Sequence, residues 1–97
     1  MFEEDSGVKR MKGRVLDVNN VIAENVDVVL YESPPSSRIK SWQGSFELTY
    51  DVTIELSKSY KLILEDRRSG EILVSNIHAS SETKSRSIGF TGSGPLQ

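Results

Sequence analysis

The longest alternation of apolar and polar residues in the chain runs from Phe46 to Leu56. Every second residue of this stretch is apolar and the residues between them are polar. A period of two is typical of an extended strand with one buried face, and the β-branched and aromatic content opposes a helix. Because strands mostly run about 3–10 residues, the pattern predicts a strand bent around Tyr50 and Asp51, or two strands that meet at a corner there.

The segment before this alternation predicts two further strands. Met11, Gly13 and Val15 share one face, but the next apolar residues change face, which predicts a bulge or bend near Val15. Asn19 and Asn20 predict a turn, and residues 23–25 predict a second polar break. The next strand should then bury alternate residues, namely Val26, Val28 and Leu30.

The segment 33–37, Ser-Pro-Pro-Ser-Ser, predicts a loop, since proline cannot donate a hydrogen bond to a sheet. A strand should resume near Ile39. A hairpin is predicted between residues 60–64 and the strand that begins at Ile72, with Gly70 supplying a positive φ in the connection. A last strand is predicted over residues 86–91.

Six to seven short strands spaced about 8–12 residues apart, without a helix, predict an all-β domain that is an antiparallel sandwich or a small barrel. We place this single domain at residues 11–92, between a flexible tail at 1–10 and an irregular tail at 93–97. The predicted core consists of Trp42, Phe46, Leu48, Val52, Ile54, Leu62, Leu64, Ile72, Val74 and Phe90.

The composition excludes several kinds of site. The 97 residues contain no cysteine and one histidine, which rules out disulfides, thiolate zinc sites and multi-histidine metal sites. We therefore expect no metal and no cofactor. No apolar run reaches the roughly 18–20 residues that cross a bilayer, and the first residues are acidic, so we expect a soluble, cytoplasmic protein.

A catalytic site is not evident, and we expect a protein that is not an enzyme. His78 is the one side chain suited to proton transfer near neutral pH. A hydrolase alternative would combine it with Asp66 and with one of the serines Ser75, Ser80 or Ser81, but none of these lies in a diagnostic motif.

Two other patterns point to structure more than to ligands. A calcium loop would begin like Asp17, Asn19 and Asn20, but its glycine and terminal glutamate are missing, which favours a turn closed by Asx side chains. An anion nest could use Gly89, Gly92 and Gly94, but no helix follows them, which favours glycines at a strand exit.

The leading hypothesis is a protein-interaction or assembly module. Val29, Tyr31 and Ile63 are out of phase with the inward residues of their strands, so they are candidates for a surface that binds a protein partner or a second copy.

The alternative is a small barrel that binds single-stranded nucleic acid. Aromatic residues such as Trp42 would stack on bases beside a basic patch formed by Arg38, Lys40, Arg67, Arg68, Lys84 and Arg86. The net charge of -2 and the acidic residues on the same strands argue against nucleic acid as the partner.

Two segments resemble a group of small bacterial all-β domains of unknown function. Residues 60–72 resemble a Tyr-x-Leu-x-Leu-x-Asp-Gly-Arg-x-Gly-x-Ile pattern, with Arg67 where the pattern has glycine, and residues 90–96 resemble a Phe-x-Gly-x-Gly-Pro-Leu ending. The resemblance implies a β fold and a bacterial source, and it implies no activity. A looser likeness to transthyretin-like and carboxypeptidase-regulatory sandwiches rests on residues 13–18 and 44–46, and it implies an adhesive or structural module.

Overall fold

A computed structural model describes residues 8–33, 41–80, 82 and 84–97 of the chain. These residues form six strands, which are β1 (Val8–Asp17), β2 (Asn20–Glu32), β3 (Trp42–Thr49), β4 (Ser59–Leu64), β5 (Ser69–Ser80) and β6 (Ser85–Ser93).

The six strands close into an antiparallel barrel in the order β1-β2-β3-β6-β5-β4. Strands β1 to β3 form one meander and β4 to β6 form a second. The barrel closes where β3 pairs with β6 and where β1 pairs with β4, with Gly13 opposite Leu64 and Leu16 opposite Lys61. The all-β prediction is confirmed, and closure selects the barrel over the sandwich, because the β1–β4 and β3–β6 ladders join the two meanders edge to edge.

The alternating residues of all six strands fill the barrel interior. The core consists of Val15, Val26, Val28, Leu30, Trp42, Phe46, Leu48, Ile54, Tyr60, Leu62, Leu64, Ile72, Val74, Ile88 and Phe90. Nine of the ten predicted core residues are buried, and the tenth, Val52, is partly buried against the others. The Phe90 ring lies at the centre of an aromatic cluster, 6.1 Å from the Trp42 ring and 5.7 Å from the Phe46 ring.

The long alternation that begins at Phe46 is neither a bent strand nor two strands. Strand β3 ends at Thr49, and residues 50–58 are irregular although Ile54 remains buried. Inside this segment the Val52 N–H donates to the Thr49 carbonyl oxygen at 3.2 Å, and the Arg86 guanidinium donates to the carbonyl oxygens of Thr49 and Val52. These hydrogen bonds satisfy main-chain groups that a sheet ladder would otherwise pair. In this segment the alternation therefore indicates which side chain is buried, but the backbone does not form a strand.

The first hairpin differs from the prediction in its boundaries. The bulge near Val15 is confirmed by register shifts on both sides of that residue. Strand β1 begins at Val8, within the segment assigned to the flexible tail, and residues 1–7 lie outside the described part of the chain. The turn consists of Val18 and Asn19, one position earlier than predicted. Residues 23–25 do not end a strand. They form a bulge inside β2, where Asn25 has a φ of 54°.

The second predicted hairpin is confirmed, but its positive φ lies elsewhere. Arg67, in the turn between β4 and β5, has a φ of 75°, and Gly70 belongs to β5. Gly70 is required for a different reason, because a Cβ at this position would lie 2.6 Å from the Trp42 ring. The turn is held by Asp66, which accepts a hydrogen bond of 3.1 Å from the Arg68 N–H.

The C-terminal residues 94–97 lie against the upper end of the barrel, defined here as the end that carries the β4–β5 turn. The Gln97 N–H donates to the Ser69 carbonyl oxygen at 2.9 Å, and Leu96 packs against the core. Ser33, which follows β2, and Ser41, which precedes β3, lie at the same end, where the Ser33 N–H donates to the Ser41 carbonyl oxygen at 2.8 Å. The predicted strand near Ile39 falls at 34–40, outside the described residues.

Candidate strand-addition groove between β2 and β3

The ladder between β2 and β3 covers only part of either strand. It begins at Glu32 opposite Trp42 and ends at Val28 opposite Phe46. Beyond this pair, residues 20, 21, 23, 26 and 27 of β2 pair with β1, and residues 47–49 of β3 pair with β6. Residues 20–27 of β2 and residues 47–49 of β3 are not paired with each other, and no other described strand lies between them.

The two strands diverge because each follows a different neighbour. In β2, the bulge at residues 23–25 places two residues opposite the single position of Arg14 in β1, which bends β2 locally. In β3, Leu48 and Thr49 stay in register with Arg86 and Ser85 of β6. A gap therefore opens at the lower end of the barrel, which carries the turn between β1 and β2.

This gap forms a groove of about 440 Å³, which we call the β2–β3 groove. Its floor is apolar and consists of Ile22, Ala23, Val26, Leu48 and Val52. Val26 and Leu48 belong to the buried core, and the other three are partly buried against it. The groove thus combines an apolar floor with strand edges that lack a strand partner, which is the arrangement that accepts an extended peptide by strand addition.

Among the described residues, the charged side chains that line the groove are the carboxylates Glu24, Asp27 and Glu47. The Arg86 guanidinium does not line the groove, but it donates to the carbonyl oxygens of Thr49 and Val52, which do. Asp27 lies opposite Lys12 of β1, and the two side chains form an ion pair of 2.5 Å on the outer surface. Among the described residues, no group of three or more His, Cys, Asp or Glu side chains is placed to hold a metal ion. The carboxylates therefore give the groove a negative rim.

The predicted interaction residues do not form one surface. Val29 and Tyr31 lie on the outer face of β2, immediately beyond the closed end of the β2–β3 groove, and Tyr31 is 46% exposed. Ile63 is half-buried on β4, and β1 lies between it and β2. The structure therefore places two of the three residues beside the groove and the third on a separate part of the barrel.

The predicted basic patch is divided between the two ends of β5. Arg67 and Arg68 lie in the turn before β5, whereas Lys84 and Arg86 lie in and after the connection that follows it. Arg68 binds Glu32 and Asp66 through hydrogen bonds of 2.8 and 2.9 Å. The remaining residues of the patch, Arg38 and Lys40, lie outside the described residues.

Arg86 holds the chain at the end of β3. Its guanidinium donates to the carbonyl oxygens of Thr49, the last residue of β3, and of Val52, and it lies 5.7 Å from the Tyr50 ring centre. Its Nε atom is buried and has no hydrogen-bond partner among the described residues. This side chain therefore links β6 to the segment that carries Val52 at the floor of the groove.

In the hydrolase alternative, Ser75, His78 and Ser80 belong to β5, but Asp66 lies beyond the other end of this strand. His78 is exposed near the end of β5, opposite Ser87, whereas Asp66 lies in the turn before the same strand. Ser75 occupies the bulge between Val74 and Asn76. Ser81 lies outside the described residues.

Residues of the predicted anion nest and of the predicted calcium loop make contacts with other side chains of the barrel. The Gly89 backbone lies beneath the Asn76 side chain, and Gly92 lies beneath the Trp42 indole. The third glycine of the predicted nest, Gly94, accepts a hydrogen bond of 2.9 Å from Trp42 Nε1. In the first hairpin, Asp17 forms an ion pair of 2.9 Å with Lys58.

The sequence analysis missed the β2–β3 groove. Its one local signal is the polar break at residues 23–25, which marks the bulge and not the end of a strand. The end of the ladder at Val28 and Phe46 depends on register between strands, which the alternation of a single strand does not determine.

Comparisons with known proteins assign neither a family nor a function to the chain. No protein family, curated protein or solved structure matches the chain significantly. None of the described residues belongs to a helix that is long and apolar enough to cross a bilayer.

Proposed function

We propose that this protein is a binding module that takes up an extended segment of a partner protein in the β2–β3 groove. The observation that carries the proposal is the early end of the β2–β3 ladder, beyond which the segment 20–27 has a strand partner on one edge only among the described residues. An added strand would pair with the other edge of β2 and supply the missing ladder. Main-chain hydrogen bonds would give affinity, and alternate side chains would contact the floor.

The dimensions support a short segment. Eight residues of β2, from 20 to 27, extend over about 26 Å at roughly 3.3 Å per residue. A partner segment of about six to eight residues matches this length. Every second side chain of such a segment would face the apolar floor, where Leu48 and Val52 lie.

Titration with a short peptide tests this proposal. A seven-residue peptide of alternating apolar and polar residues should shift the amide resonances of residues 20–27 and 47–49. A matched peptide with proline at its centre should bind more weakly, because proline cannot donate a ladder hydrogen bond. Shifts that spread over the whole barrel, or equal binding of the proline peptide, would contradict strand addition.

Variants of two half-buried valines provide the matched control. Val52→Thr keeps the volume of the side chain but places a hydroxyl at the floor, and we expect about fivefold weaker binding, which corresponds to roughly 1 kcal/mol. Val29→Thr makes the same change on the outer face of β2, beyond the groove, and should leave the affinity unchanged. Equal effects of the two variants would place the peptide elsewhere.

A further inference from the structure

We infer that the segment bound by the β2–β3 groove is basic, with lysine or arginine alternating with apolar or small residues. This inference rests on the proposed function and adds the chemistry of the partner. It follows from the charges around the groove and from the strand that β2 already binds on its other edge.

The rim of the β2–β3 groove carries negative charge. Glu24 and Glu47 have no ion-pair partner among the described residues, and Asp27 shares Lys12 at the outer surface. An acidic segment would place like charges beside all three carboxylates, which is unfavourable in adjacent strands. A lysine or arginine at each outward position of the added strand would instead oppose a carboxylate.

Strand β1, which pairs with the opposite edge of β2, is basic on its exposed face. Its exposed positions Arg10, Lys12 and Arg14 alternate with less exposed positions that hold Met11, Gly13 and Val15. Lys12 lies directly opposite Asp27 and forms the ion pair with it. Strand β2 therefore already pairs with a basic, alternating strand, and the groove offers a second place for a segment of this kind.

The same charges disfavour pairing between two copies at this edge. Two β2 edges brought together would each carry Glu24 and Asp27, so carboxylates would face carboxylates. Like charges on an open edge are among the features that prevent such self-pairing. The occupant is therefore a basic partner segment and not the β2 edge of a second copy.

Three peptides that differ only in charge test the inference. Valine alternates with lysine in the first, with glutamine in the second and with glutamate in the third. At low ionic strength the lysine peptide should bind about tenfold more tightly than the glutamine peptide, since each of three exposed ion pairs contributes roughly 1.4- to fivefold. This difference should shrink at about 0.5 M salt because the charges are then screened.

Two charge-reversal variants locate the effect. Glu47→Lys should reduce the affinity for the lysine peptide about tenfold or more and should increase the affinity for the glutamate peptide. Glu71→Lys makes the same change on an exposed position of β5, outside the groove, and should have no effect at moderate salt. Both positions are exposed on strands, so both variants should fold.

The outcomes separate the two proposals. Equal binding of the lysine and glutamine peptides, with shifts still confined to residues 20–27 and 47–49, would overturn the basic-partner inference and leave strand addition intact. Failure of all three peptides to bind would overturn both. Equal effects of Glu47→Lys and Glu71→Lys would show attraction to the whole protein and would also overturn the inference.

Discussion

Val28 and Phe46 form the last pair of the ladder between β2 and β3. Both side chains are buried in the core, with Val28 1% exposed and Phe46 1% exposed. Beyond them the two strands separate around an apolar floor, while each remains paired with its other neighbour. The same strands thus close the barrel on one side of this pair and leave an open edge on the other.

The indole of Trp42 requires the absence of a side chain at residue 92. A Cβ there would overlap the indole ring, so Gly92→Ala should displace Trp42 and its hydrogen bond to Gly94. We expect a loss of about 1–3 kcal/mol in the free energy of unfolding, as for other overpacked cores. Urea denaturation followed by the fluorescence of Trp42 measures this loss. Ser93→Ala, at the neighbouring exposed position, should change the free energy by less than about 0.5 kcal/mol.

Arg67 has a backbone conformation that favours glycine. Its φ of 75° is unfavourable for a residue with a Cβ, by about 1–2 kcal/mol. Arg67→Gly should therefore stabilise the protein by about 0.5–1 kcal/mol, once the greater freedom of glycine in the unfolded chain is included. Arg67→Ala removes the same charge but retains the strain, so it should not reproduce the gain. If Arg67→Ala were as stabilising as Arg67→Gly, the gain in stability would come from removal of the positive charge and not from relief of the backbone strain.

Arg68 should make stability depend on pH through Glu32. The hydrogen bond from the Arg68 guanidinium is the main cause that lowers the pKa of Glu32 below its ordinary value of 4.5. Because the folded pKa is the lower one, this stabilisation is complete above about pH 4.5 and is lost as the pH falls through the folded value.

Arg68→Gln should therefore be about 1 kcal/mol less stable than the wild type at pH 7, since the pair is partly exposed to solvent. The difference should decrease as the pH falls through the folded pKa of Glu32, which lies below 4.5, because Glu32 then becomes protonated in the wild type. Lys61→Gln, on the exposed face of β4, serves as the control. A deficit for Arg68→Gln that stays constant over the whole acidic range in which the protein remains folded would contradict the assigned ion pair.

Arg86 should determine the order of the segment that carries Val52. Arg86→Met keeps the aliphatic stem but removes the donors to the Thr49 and Val52 carbonyl oxygens. We expect faster amide exchange in residues 50–56 and a loss of about 1–2 kcal/mol in stability. Arg14→Met, on an exposed position of β1, should change neither quantity. Unchanged exchange in Arg86→Met would show that other contacts hold this segment.

Much of the fold could be predicted because the alternation of apolar and polar residues indicates which side chains of each strand are buried. It identified Leu62, Ile72 and Phe90 as core residues without knowledge of their partners. The alternation was misleading where a buried side chain does not belong to a strand, as at Ile54, which is buried in an irregular segment. The positive φ at Arg67 was also hidden, because arginine does not favour that conformation and Gly70 nearby does.

The candidate groove was less accessible to sequence reasoning than the core. Its floor combines residues of β2 and β3 with Val52 of the following segment, and its existence depends on where their register ends. Charges at Glu24 and Glu47 are ordinary for exposed strand positions when each strand is considered alone. Only their placement across one open edge distinguishes them from other solvated carboxylates.

We propose that the edge of β2 over residues 20–27, which has no strand partner among the described residues, accepts an added strand. Residue-resolved amide hydrogen exchange tests it most directly, first in the free protein and then with the alternating lysine–valine peptide bound. The structure predicts that alternate amides of residues 20–27 exchange rapidly in the free protein and become protected by the peptide, while the amides of Val28 and Leu30 are slow in both states. Uniform slow exchange along all of β2 in the free protein, or no added protection with the peptide bound, would contradict the claim.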